Sequence, residues 1–277
     1  KGGPVAKNQY KLLVVDIDGT VMGRNGTISN EDKKALVRVG DSGIRVSLST
    51  GRVIQSSLEV IDELALDGLH MFFDGALVFN LEKGEEIFVE PIRADSVRQL
   101  VEYAHQVGLD IDLYSTNRYF IEQETWATDI RRDFYGLQPV IVDFNRVWQE
   151  ERIIKGAMVV ASAEEKARAN DVYLRFKNNL NFSWTATPAF PGVDLINVIA
   201  PEVSKGAALE ALASFLEIPL SEVMAIGDGA NDIPLLSTAG LAVAMGNASD
   251  KLKAVADYVT ADVDHSGVAA AISKFLV

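Results

Sequence analysis

There is no cysteine anywhere in these 277 residues. Disulfide frameworks, thiolate nucleophiles and zinc–thiolate centres are therefore excluded, and the chain fits a reducing compartment. Histidine is nearly as scarce. The three copies, His70, His105 and His265, have spacings that build no metal site, so we read them as structural or solvated. Positive charge is also short: 26 Lys and Arg stand against 39 Asp and Glu, a net charge of −13. A chain this acidic offers no basic footprint for nucleic acid and is ill suited to anionic membranes. No apolar run approaches the ~18 residues of a membrane span, and Lys1-Gly2-Gly3-Pro4 lacks the apolar region of a secretory signal. These absences lead us to expect a cytoplasmic protein, monomer or homodimer, whose partners are small molecules. An acidic protein that binds phosphate must supply positive charge locally, from a metal, a few Lys or Arg, or helix N-termini.

What is present is an ordinary globular composition, 48% hydrophobic and 23% charged, with length for roughly two domains or one domain with a large insertion. Lys11–Ile17 is a continuous apolar run, the pattern of a strand buried on both faces of a parallel sheet. It ends in Asp16 and Asp18, followed at once by Gly19. Carboxylates there are costly unless compensated, usually by a cation in the crevice at the carboxyl ends of parallel strands. Ser29 reads as the N-cap of a helix to Asp41, Ile44–Leu48 as a second strand, and Val53–Leu66 as a second helix. The alternation predicts an α/β fold, a doubly wound Rossmann-like parallel sheet. Met71–Phe73 is a third strand, turned back at Asp74-Gly75 into Ala76–Asn80.

Residues 85–190 differ in pattern. They hold an amphipathic helix at Ala94–Val107, a hairpin at Asp110–Tyr114 and Tyr119–Glu122, a strand at Lys155–Ala161, a helix at Ala163–Lys177 and a strand at Phe182–Thr187. We read an inserted α+β cap with an antiparallel sheet, and assign 1–84 and 191–277 to the core. From Gly192 we expect the parallel pattern to resume: strand Leu195–Ile199, a helix opened by Ser204-Lys205-Gly206, strand Glu222–Ile226, strand Leu241–Met245 and a closing helix Gly267–Phe275.

Four polar clusters then fall at strand ends or helix starts: Asp16-Ile17-Asp18-Gly19-Thr20, Thr50-Gly51-Arg52, Lys205, and Asp228-Gly229-Ala230-Asn231-Asp232. In an open α/β sheet such positions converge on one crevice. Carboxylates gathered there repel one another, and an all-oxygen ligand set suits Mg²⁺ rather than zinc. Each cluster has a plainer alternative. Asp-Gly pairs are common turns, and Ser49-Thr50-Gly51 is a serviceable helix cap. A lysine at a helix start is also commonly solvated, although that end is electrostatically poor for a cation, which argues for a role.

In combination the clusters resemble the four motifs of the haloacid dehalogenase superfamily, and the insertion between the second and third resembles its Cof-type branch with a large α/β cap (type IIB). The resemblance spans nearly the whole chain. It implies a Mg²⁺-dependent phosphatase acting on a small phosphorylated metabolite, a sugar phosphate or phosphorylated cofactor, through an aspartyl-phosphate. Asp16 would be the nucleophile and Asp18 the acid and base, its proton kept by a crowded, partly desolvated setting. Thr50, Gly51 and Lys205 would hold phosphate oxygens. Asp16, Asp228, Asp232 and the Asp18 carbonyl would surround the metal, with Asn231 and Asp232 orienting Lys205 or the metal's waters and Asn231 also counted with the phosphate ligands. Arg52 has three readings: phosphate, the cap, or a surface carboxylate. Asn247 falls at the crevice rim.

The chain departs from its relatives at Asp74-Gly75-Ala76, where Asn-Gly-Ala is usual. An ionised aspartate cannot donate to phosphate, so Asp74 either points away or selects a substrate bearing a donor. In the cap, Tyr114, Tyr119, Trp126, Tyr135, Trp184 and Phe190 could stack on substrate, though cap core is the commoner use. Arg118, Arg131 and Arg132 are candidate contacts for anionic groups, and Phe190-Pro191-Gly192 a candidate hinge. Two other functions remain open: a phosphomutase or phosphotransferase, and a non-catalytic phosphometabolite sensor.

Overall fold

The computed structural model describes residues 9–186 and 190–277. Lys1–Pro4 and Thr187 lie outside the described residues, as does the Tyr135 side chain. The chain divides into two compact units. One comprises residues up to 52, 57–88 and 204–277, and the other comprises 53–56 and 89–203.

The first unit is built on an eight-stranded sheet in the order Tyr258–Val259, Leu241–Ala244, Val223–Gly227, Leu12–Asp16, Arg45–Ser49, Leu69–Phe72, Leu77–Asn80, Glu85–Val89. The first six strands run parallel, and Leu77–Asn80 returns antiparallel. Leu12–Asp16 is buried at every residue, as its unbroken apolar pattern requires. Its register sets Asp16 beside Ser49 and Val15 beside Ile226, so the carboxyl ends of three strands lie together. Ala225, Ala244, Leu209, Leu212 and Leu235 pack behind Val14, each buried leucine contributing ~1.5–3 kcal/mol. Both flanking helices start where their caps say. Ser29 Oγ accepts the Asp32 N–H at 3.0 Å before Asn30–Asp41, and Ser204 Oγ accepts the Ala207 N–H at 3.1 Å before Lys205–Phe215.

Three expectations are corrected. The helix expected over Val53–Leu66 is a short 3-10 turn, Gln55–Ser57, followed by Leu58–Glu63, because residues 53–56 belong to the second unit. The boundary expected at 84 falls after Phe88, since Glu85–Val89 still serves as the edge strand of the first sheet. The return expected at 191 falls at Ser204. Asp194–Ile199 is a strand, but it pairs antiparallel with Asn181–Ala186 and Lys155–Val160. A short apolar run reports burial without saying which sheet buries it.

The second unit carries a six-stranded sheet, Asn181–Ala186, Asp194–Ile199, Lys155–Val160, Asp112–Tyr114, Tyr119–Ile121, Pro139–Ile141. Helix Ala94–Val107 buries Val97, Leu100, Val101 and Ala104, the face its spacing gives. Helix Trp126–Tyr135 was not expected; it is opened by a capping box between Thr125 and Thr128. The candidate arginines are all committed within this unit. Arg131 is buried with its Nε 3.0 Å from Asp112 Oδ2, Arg132 pairs with Glu124 and Asp129, and Arg118 pairs with Glu151. Tyr114 and Tyr119 are buried and stack on one another at 5.0 Å, whereas Trp126 and Trp184 are exposed. Among the described residues no helix is long and apolar enough to cross a membrane.

Candidate active site

Lys205 is the centre of the site. It is 1% exposed, and its Nζ lies 2.6 Å from Asp16 Oδ1, 2.6 Å from Asp232 Oδ1 and 3.2 Å from the Ser49 carbonyl oxygen. Burial works against its charge, yet Asp16, Asp232 and Asp74 outweigh that cost and hold it above the usual lysine range. As the first residue of a capped helix, Lys205 is aimed from a rigid start at the strand ends.

Asp232 is fully buried and has donors on both oxygens. Its Oδ2 accepts the backbone N–H groups of Asp228 and Gly229 at 3.1 and 2.9 Å, while Oδ1 takes Lys205. It thus shapes its own loop as well as gripping the lysine. Asp228 is held on both oxygens: Thr20 Oγ1 donates to Oδ1 and Asn247 Nδ2 to Oδ2, each at 3.2 Å. Asn247 also donates to the Gly19 carbonyl at 2.8 Å and accepts the Val263 N–H at 3.0 Å. Gly19 has φ +85°, and a Cβ there would lie 2.3 Å from Asp228 Oδ2; only glycine admits that approach.

Asp16, Asp228 and Asp232 each place a carboxylate oxygen within 4.8 Å of the others. Burial, and then repulsion from Asp232, raise Asp16 well above the ordinary aspartate range against the pull of Lys205. Burial and Asp232 likewise push Asp228 up to about 6. Three crowded carboxylates with one ammonium are short of positive charge, and the donors are all oxygen. The set therefore fits a hard divalent cation.

Asp18 departs from expectation. Its side chain is 55% exposed, not desolvated. Regular strand ends at Asp16 and the chain then turns, with Asp18 only in an isolated bridge to Met22. Its carboxylate lies outside the three-carboxylate group and in the fork of Arg52, Nε to Oδ2 at 2.8 Å and Nη2 to Oδ1 at 2.5 Å. Of the three readings of Arg52, the structure thus shows a carboxylate partner. Thr50 is buried, and its Oγ1 accepts the Arg52 N–H at 3.1 Å, which leaves the hydroxyl proton to donate. Asn231 donates to Asp74 Oδ1 at 2.8 Å, so Asp74 points into the site.

The sequence reading left Thr20 and Asn247 without roles on Asp228. Thr20 sat inside the first cluster and Asn247 after the last core strand, so position was the signal for both. The histidines stand apart from the acidic group. His70 is buried, its Nδ1 accepting the Leu48 N–H at 3.0 Å, and burial lowers it to about 4. His105 pairs with Glu122, and His265 with Asp262.

Comparison with known proteins gives the family. Residues 13–272 match the family described as haloacid dehalogenase-like hydrolase. Stress response protein YhaX of Bacillus subtilis is 30% identical over 96% of this chain and 93% of its own. The Bacillus subtilis 5-amino-6-(5-phospho-D-ribitylamino)uracil phosphatase YcsE is 28% identical, covering 96% of both chains. The solved structure of a haloacid dehalogenase subclass IIB sugar phosphatase superposes with a TM-score of 0.75 at 26% identity, over 95% of this chain and 98% of that one. An α/β sheet with acidic strand ends around a buried lysine defines a class of hydrolytic enzyme, and this chain is one. It belongs to the haloacid dehalogenase-like hydrolase family.

Proposed function

We propose that the chain is a Mg²⁺-dependent phosphatase that hydrolyses a small phosphorylated metabolite through an aspartyl-phosphate on Asp16. The observation that carries this is the contact of Lys205 Nζ with Asp16 and Asp232, beside the crowded Asp228.

In the first half-reaction an Asp16 carboxylate oxygen attacks phosphorus and the ester P–O bond breaks. The leaving alkoxide takes a proton from Asp18. In the second, Asp18 takes a proton from water, the resulting hydroxide attacks phosphorus, and Asp16 leaves as a carboxylate with inorganic phosphate. Lys205, the Thr50 hydroxyl and the Gly51 backbone bind the non-bridging oxygens as their charge develops, and Asn231 stands beside them. Asp18 can transfer a proton only once its ion pair with Arg52 opens. Asp16, Asp228, Asp232 and the Asp18 carbonyl would hold Mg²⁺, which when bound neutralises charge on the transferring group. The second unit, as the cap, supplies substrate selection. The names of the ribitylamino-uracil phosphatase and the sugar phosphatase support a polyol or sugar phosphate as the substrate class.

The test is phosphate release from an aryl phosphate ester. Activity should vanish with EDTA and return with Mg²⁺. Activity that ignores both sinks the reading, and a second phosphorylated product in place of inorganic phosphate means transfer.

A further inference from the structure

Asp74 takes no part in those steps, yet it is built into the site. It follows strand Leu69–Phe72 and is 8% exposed. Phe73 and Asp74 both carry positive φ, 55° and 56°, a strained conformation that persists only where the surroundings enforce it. Here they do. The Phe73 N–H donates to the Arg52 carbonyl at 3.1 Å and the Asp74 N–H to the Thr50 carbonyl at 3.0 Å. The strained turn is thereby fastened to the loop Thr50–Arg52, and the Asp74 carboxylate lies on Gly51, where a Cβ would come within 2.8 Å of Oδ1. That same Oδ1 accepts from Asn231 in the other loop, Asp228–Asp232. Among the described residues no Lys or Arg forms an ion pair with Asp74; Lys205 feels it at longer range. Of the two readings of Asp74, pointing away or meeting a donor on the substrate, the structure shows neither on Oδ1, where the donor is the protein's own Asn231.

A carboxylate can only accept. Facing it, the Asn231 amide must present its NH₂ group, so its orientation is fixed. An asparagine at position 74 could present either end. We propose that Asp74 is a positioning residue that clamps the loop Thr50–Arg52 to the loop Asp228–Asp232 through Asn231, and so sets the geometry in which phosphate is bound. This rests on the phosphatase reading above.

A double-mutant cycle of Asp74→Ala and Asn231→Ala tests it, with Asp74→Asn as the conservative variant. The probes are an aryl phosphate ester for turnover and inorganic phosphate alone for calorimetric binding, both with Mg²⁺. Each single substitution should raise KM and the phosphate Kd about tenfold, more than it lowers kcat, and the pair together should cost no more than either alone. Asp74→Asn should recover most of the loss, since an amide oxygen still accepts. It is isosteric, so it keeps the test decisive if Asp74→Ala does not fold. Additive effects, unchanged KM and Kd, or an Asp74→Asn variant as impaired as Asp74→Ala would overturn the proposal. Those outcomes leave wild-type turnover intact; loss of the phosphatase reading itself leaves the wild type without turnover or phosphate binding and overturns both.

Discussion

Each unit buries charge, and the two do so differently. In the second unit Arg131, 3% exposed, pairs with Asp112, 7% exposed. The Tyr114 ring lies beneath both Arg131 and Lys155, 6.0 and 5.8 Å from its centroid. One guanidinium meets one carboxylate, with the buried Lys155 beside them, and the aromatic face covers both cations. In the first unit Lys205 meets Asp16 and Asp232 directly, with Asp228 in reach. Burial of charge is therefore no mark of function in itself. The mark is imbalance: carboxylates that the protein leaves short of cations, at strand ends, with a lysine held among them.

The largest effect should come from the imbalanced cluster. Asp16→Asn should lower turnover by at least about 10³-fold, because the carboxylate oxygen that attacks is gone; steady-state kinetics on an aryl phosphate ester reads it. Next comes the balanced pair. Arg131→Met should destabilise by ~3–5 kcal/mol through an unpaired buried carboxylate, and Asp112→Leu added to it should restore most of that loss. Urea unfolding reads both. Lys205→Met with Asp232→Leu should not recover in the same way, since Asp16 and Asp228 stay crowded without their cation. A recovery there would erase the contrast between the units.

A subtler difference lies in pH. Asp228 is pushed up to about 6 by burial and Asp232, so below that pH a proton occupies one of the carboxylates proposed to hold Mg²⁺. A raised native pKa stabilises the protein at low pH, and that contribution is lost as pH rises through about 6. Mg²⁺ affinity should therefore climb as pH rises towards 6, by up to about tenfold per pH unit, as calorimetric titration would show. A flat profile would mean that Asp228 does not compete for the metal.

A further pH effect belongs to a group buried without charge. Burial lowers His70 to about 4. The unfolded chain takes up that proton from ~6.5 downward while the native state refuses it, so stability drops as pH is lowered from ~6.5 to about 4, by up to ~1.4 kcal/mol per unit. His70→Asn, whose amide oxygen can accept the Leu48 N–H, should flatten that slope in thermal unfolding at pH 4 to 7.

Legibility in the sequence followed the physics of each element. The strand Leu12–Asp16 and the helix after Ser29 were readable because an apolar run and a capping oxygen are local signals. Ala94–Val107 was readable to the residue from its one apolar face. Asp194–Ile199 was legible as a strand but not as a member of the second sheet, because pairing partners far along the chain leave no trace in a six-residue pattern. In the site, residue types and spacing named Asp16, Lys205, Asp228 and Asp232, which the structure brings together. They could not show Asp18 turned outward into Arg52, since the strand's alternation ends one residue after Val15. Nor could they show Asp74 turned inward, which depends on two left-handed residues in succession.

The intermediate proposed above is covalent, a phosphoryl group carried on Asp16. Rapid acid quenching of the enzyme during turnover of a phosphate ester with Mg²⁺, then peptide mass spectrometry, tests it directly. The expected result is a phosphoryl group on the peptide containing Asp16, absent from the Asp16→Asn variant. Phosphate release with no modified Asp16, or undiminished turnover by Asp16→Asn, would contradict it.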